Sequence, residues 1–201
     1  MNDNSADPVA REGQKGPVGE QRVTPLELFF DLVFVFSLTQ VTAFLADEPT
    51  WAGLLRGVAI LAALWWPWVG YAWLTNAVPV EERTPARLVV ISAMAALLVA
   101  ALSVPGAFGD SGVIFGAALV VVSVLHAALY VIATRAEHPD VSGAIFRLAP
   151  GFVAGPVLLV VAGFADGAAQ AALWTAALAT SYGVALLLGV KGFRVHAGHT
   201  S

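Results

Sequence analysis

Residues 24–46 read TPLELFFDLVFVFSLTQVTAFLA, and this stretch decides the fold. After Glu27 and Asp31 no charge occurs before Asp47, and Leu32 to Phe36 is an unbroken apolar run without the period-two alternation of a barrel strand. About 20 apolar residues are what a helix needs to cross a bilayer. Thr24-Pro25-Leu26-Glu27 has the pattern of a capping box, with proline at the first helical position, where no backbone donor is needed. Val23 and Leu28 are spaced for the accompanying hydrophobic staple. The stretch therefore predicts a membrane-spanning helix that starts at Pro25.

Five more stretches of this kind follow, giving expected spans near 25–46, 51–76, 85–104, 112–134, 142–164 and 168–190. The connectors are short, so sequential helices are expected to lie antiparallel in one bundle. The expected fold is an all-α integral membrane protein, a six-transmembrane helix bundle over residues 25–190. The polar residues 1–24 are expected to be a disordered cytoplasmic tail, and 191–201 a short cytoplasmic tail. Composition agrees: of 201 residues, 58% are hydrophobic and only 12% charged. Soluble domains carry about 25% charge, so a nucleic-acid binder or ordinary soluble enzyme is excluded. Cysteine is absent, which removes disulfides, thiolate metal sites and Cys nucleophiles.

Orientation follows from Lys and Arg. Arg11, Lys15, Arg22, Arg83, Arg87, Arg135, Arg147, Lys191 and Arg194 all fall on the side of the two termini, nine of the ten. The tenth, Arg56, lies near the other face and is placed to snorkel towards Asp47 or Glu48. The positive-inside rule puts both termini in the cytoplasm.

Ionisable groups at membrane depth are costly and each requires a reason. Glu27 completes the capping box. Asp31 lies about 9 Å along the axis from Pro25, at about 1.5 Å per residue, and shares a helix face with Glu27. The pair is read either as a cation or proton site or as part of an interhelical tie. Arg147 matches Asp31 in depth and is its expected partner, which would join the first and fifth spans. His126 ranks next, as a satisfied core residue or as a proton relay. Glu27, Asp31, His126 and Arg147 are thus the candidate intramembrane polar site. The second span carries Trp65, Trp66, Trp68, Tyr71 and Trp73 around Pro67, with Tyr71 and Trp73 expected in an interfacial belt and Trp65 and Trp66 deeper, either packing or lining a cavity. Pro150 and Pro156, each beside a glycine, are expected to interrupt the fifth span and free carbonyls, as at transporter binding sites. Gly112-Val-Ile-Phe-Gly116 permits close helix approach. His196 and His199 form an HxxH pair on a polar tail, too little for a metal site. No catalytic, cofactor-binding or metal residues are expected, and the chain is read as a non-enzyme.

TPLELFFDLVFVFSLTQ over 24–40 resembles the opening signature of the bacterial low temperature requirement A family. The resemblance continues in Pro49-Thr50-Trp51, in Trp65-Trp66-Pro67-Trp68 and in Thr75-Asn76; beyond residue 76 it rests on hydropathy. It implies a multi-pass protein of the bacterial plasma (inner) membrane. Family members are usually about twice as long and carry a mid-chain motif of the kind GHFAERFGLF…ALGES, of which Gly198-His199 matches the start. The chain thus resembles the N-terminal half only. The expected partners are the lipid bilayer and either further copies of the chain or a partner supplying the C-terminal half. Two functions stay open: a transporter-like half for a small solute or ion, and a non-transporting structural, assembly or sensing protein whose polar residues are interhelical ties. An intramembrane enzyme lacks a nucleophile or metal constellation, and a retinal protein lacks a mid-helix Lys.

Overall fold

The computed structural model describes residues 25–77, 84–135 and 142–195, with side chains at 26, 28–72, 74, 84–132 and 152–183. The expected N-terminal tail, Thr24 of the capping box, and His196 and His199 lie outside the described residues. Six helices follow in order: α1 (Pro25–Asp47), α2 (Trp51–Ala77), α3 (Thr84–Leu102), α4 (Gly112–Arg135), α5 (Ser142–Ala162) and α6 (Gly167–Val195). Among the described residues there is no strand. Among the described residues, four segments are long and apolar enough to cross a membrane: Leu28–Asp47, Trp51–Ala72, Thr84–Leu102 and Gly112–Ile132. The described apolar part of α5, Phe152–Ala162, is shorter.

The helices close into a ring. α1 packs on α2 and α3, α3 on α4, α4 on α5, and α5 on α6, while α2 completes the circuit against α6 and also meets α4. Ile60, Leu64, Tyr71, Val90, Met94, Leu97, Phe115, Val122 and Leu129 form the most deeply buried part of the core.

The α4–α5 contact follows from glycine. Lipid tails are as apolar as Leu, so helix association in a bilayer depends on close packing rather than on escape from water. A Cβ built on Gly116 would lie 2.5 Å from the Val160 backbone nitrogen, and one on Gly112 3.1 Å from Gly163 Cα. A Cβ on Gly163 would run into the Val113 backbone. The two backbones touch where side chains would hold them apart.

The three odd-numbered connectors meet at one end. Arg56 Nη1 lies 3.2 Å from Glu48 Oε2, with the two side chains 46% and 43% exposed. The guanidinium also sits 5.6 Å from the Phe108 ring centroid. Phe108 stacks on Trp174 at 4.3 Å, and Gln170 Nε2 donates to the Phe108 and Ala162 carbonyls, each at 3.3 Å. Arg56 therefore reaches Glu48 as expected.

Three expectations change. α3 stops at Leu102, not 104, because Val104–Gly106 tightens into a 3-10 turn around Pro105. α2 and α5 run unbroken through their prolines; each proline removes one intrahelical hydrogen bond without ending the helix. α6 continues to Val195, past the expected 190, since Lys191 to Val195 contains no proline to stop it.

Candidate functional site

Ser123 and His126 are one helical turn apart on α4 and project from one face. They line a cleft bounded by α2, α5 and α6. The cleft has two lobes of about 340 Å³ each, open mouths included, which share Trp66, Pro67 and Ser123 in their walls. Its interior has room for a few water molecules and not for a drug-sized ligand.

Local sequence explains each wall. Gly70 leaves a gap on α2 that the imidazole fills: a Cβ there would lie 3.0 Å from His126 Cε1. Tyr71 meets the imidazole edge-to-face at 5.0 Å, and Phe152 lies 6.1 Å away on the α5 side. Among the described residues, the buried Nδ1 of His126 has no hydrogen-bond partner. From α6, Tyr182 donates to the Ala62 carbonyl at 2.9 Å and packs on Trp66 at 5.1 Å. Ser181 occupies the space Gly155 leaves on α5, where a Cβ would collide with its hydroxyl. Pro67 and Pro156 both line the cleft, as do Ala63 and Phe152, the residues four positions earlier. Proline has no N–H, so each of the two removes a helical donor. The cleft thus gathers an imidazole and three hydroxyls between aromatic walls, beside two proline-containing stretches of helix. It offers hydrogen bonds without a formal charge among its lining residues.

Asp31 lies elsewhere. It is exposed on α1, and the one hydrogen bond it accepts among the described residues comes from Trp68 Nε1, at 3.3 Å. Phe34 stacks on Trp68 at 4.5 Å and 17°, and Trp65 leans on Trp68 at 5.2 Å.

Of the four expected site residues, the structure therefore places His126 in the cleft and Asp31 on the outer face of α1. Their described contacts do not overlap. Glu27 and Arg147 belong to α1 and α5, but their side chains lie outside the described residues, as does any Asp31–Arg147 pair. α1 has α2 and α3 as its main neighbours, and α5 has α4 and α6. Tyr71, expected in an interfacial belt, is fully buried within the protein and donates to the Val122 carbonyl at 3.0 Å. Trp66 lines the cleft, the second of the two readings open for it. Sequence reading missed Ser123, Ser181 and Tyr182. The spacing of Ser123 to His126 was a usable signal; nothing local marked Ser181 and Tyr182, whose role comes from α6 closing on α2.

Comparison with known proteins bears on these observations. The family model described as bacterial low temperature requirement A protein (LtrA) matches residues 22–201. Among curated proteins, the chain is 30% identical over 156 residues to the uncharacterized protein RA0937 of Rhizobium meliloti (strain 1021). That match covers 78% of this chain and 38% of the relative, so the chain spans well under half of the relative's length. No solved structure matches. With the family model covering nearly the whole chain and a helical, span-forming architecture beneath it, the protein belongs to the bacterial low temperature requirement A family.

Proposed function

We propose that the chain is a six-span bundle of the bacterial inner membrane with both termini in the cytoplasm, and that it forms a transporter-like half whose site is the cleft between α2, α4, α5 and α6. The observation that carries this reading is the buried Nδ1 of His126, without a hydrogen-bond partner among the described residues, in a water-sized cleft. In lipid an unsatisfied polar atom costs several kcal/mol, so a buried one at a cleft is best explained by something that visits the cleft. The proline pair supports the same reading, because Pro67 and Pro156 each remove a helical donor and both line the cleft. Size and the uncharged lining favour a small hydrogen-bonding solute over a charged metabolite. Neither catalysis nor a cofactor is part of this account. The bundle works in the bilayer, either as an oligomer or with a complementary half. The Lys/Arg asymmetry and the meeting of the odd connectors at one end support the topology.

The test is flux into proteoliposomes across a panel of water, small neutral polar solutes and monovalent ions. The reading expects faster flux than in protein-free vesicles for at least one small solute, and loss of that flux in Ser123→Phe, which adds bulk in the wall that the two lobes share. Flux equal to that of protein-free vesicles across the panel would sink transport by this chain. A second reading, that the polar residues are structural ties, is favoured by the bonds Tyr71 to Val122 and Tyr182 to Ala62, each of which joins two helices.

A further inference from the structure

The outer face of α1 poses a problem the cleft does not address. Asp31 sits about 9 Å inside the start of α1, at about 1.5 Å per residue. The headgroup layer on each side of a bilayer is about 5–7.5 Å thick. Leu28, Phe29, Leu32 and Val35 around it are all more than half exposed, the pattern of a lipid-facing surface. A carboxylate has about four acceptor positions, and Trp68 fills one of them. An Asp turned to acyl chains would be costly, so its surroundings must supply a cation or donors at that depth.

The neighbouring rings indicate which. Phe34, Trp65 and Trp68 form a contiguous aromatic platform beside the carboxylate, with Trp65 and Phe34 5.9 Å apart edge to face. Trp65 is 45% exposed. The Asp31 hydrogen bond fixes the indole of Trp68, and Phe34 backs it. A negative group next to aromatic faces attracts an organic ammonium by both charge and ring quadrupole. Just below the headgroup layer, the surrounding medium itself offers such a group.

We propose that Asp31, Trp65 and Trp68 form a binding site for the ammonium of a zwitterionic phospholipid headgroup, with the lipid's chains lying along Leu32 and Val35. The proposal rests on α1 crossing a membrane and is independent of the transport reading. The carboxylate neutralises the ammonium, the rings cover its CH₂ groups, and an anionic lipid without an amine is repelled.

Native mass spectrometry of the purified chain, extracted from an equimolar mixture of phosphatidylethanolamine and phosphatidylglycerol, tests this. The wild type should retain the ethanolamine lipid over the glycerol lipid about fivefold, the scale of one exposed ion pair plus one cation–π contact. Asp31→Asn, close in size, should bring the ratio to about one with helical circular dichroism unchanged. Asp31→Glu should keep the preference, and Trp68→Phe should lower it partway. An unchanged ratio in Asp31→Asn overturns the proposal. So does displacement of the lipid by soluble ethanolamine at equal concentration, which would make the ligand a free amine. A change of oligomeric mass in Asp31→Asn with the lipid ratio unchanged would overturn it in favour of a protein partner.

Discussion

Replacing Gly116 by Ala adds one methyl group at the tightest described part of the α4–α5 contact. The new Cβ would stand 2.5 Å from Val160 N, 2.7 Å from Leu159 C and 2.8 Å from Val160 Cα. Comfortable contact is about 3.5–4.0 Å, so α4 and α5 must part by about 1 Å, and the obstacle is backbone that no rotamer change can move. Overpacking of this kind costs about 1–3 kcal/mol. Ala returns about 0.5–1 kcal/mol of helix propensity, leaving a net loss of up to about 2.5 kcal/mol. Gly183→Ala in α6 supplies the control. No atom of the described residues lies within 4 Å of its Cβ position, so only the propensity gain remains, about 0.5–1 kcal/mol of stabilisation. The two substitutions share their chemistry and should move stability in opposite directions. Unfolding in detergent, followed by helical circular dichroism, reads the difference. Equal stability of the two variants, or a Gly116→Ala chain as stable as wild type, would refute the argument that backbone contact holds α4 to α5.

Further outcomes follow from the same structure. Tyr71→Phe removes the tie to Val122, whose carbonyl keeps its own helical bond within α4, so it should cost about 0.5–1.5 kcal/mol in the same unfolding assay. Arg56→Ala removes a half-exposed pair with Glu48 and should cost less than about 1 kcal/mol, with the loss shrinking as salt is added. Cysteine substitutions at Asp110 and Asp166, one in each of two connectors at the Arg56 end of the bundle, should both react with a membrane-impermeant thiol reagent added outside intact cells. Reaction of either from the cytoplasmic side only would reverse the proposed topology.

Much of the fold was legible because a bilayer leaves few alternatives. Apolar runs of spanning length and connectors rich in Pro, Gly and charge place six helices within a few residues of where they lie. Gly112 and Gly116 were legible as a close-packing surface, since small residues four apart share a face. The site was legible only in fragments. His126 stood out as an ionisable group at depth, but its surroundings depend on which helices adjoin α4, and an all-apolar bundle encodes that in shape rather than in pattern. Pro156 was expected to interrupt α5; the helix absorbed it, and Pro156 itself stands in the cleft wall. The tie from Tyr71 to α4 was not legible, because it depends on the gap at neighbouring Gly70 that seats His126 against α2.

The central claim is that the α2/α4/α5/α6 cleft is a wet, polar site within the bundle. The absence of native cysteine makes one measurement direct. Ser123→Cys sits in the wall that the two lobes share, and Val122→Cys, one residue away, lies buried in the core outside them. Native membranes carrying each variant are treated with hydrogen peroxide, an oxidant of nearly water size, and the fraction oxidised at the new cysteine is counted by mass. The account predicts that Ser123→Cys is modified while Val122→Cys is spared. Equal inertness of both would mean that the cleft is dry packing, and would contradict it.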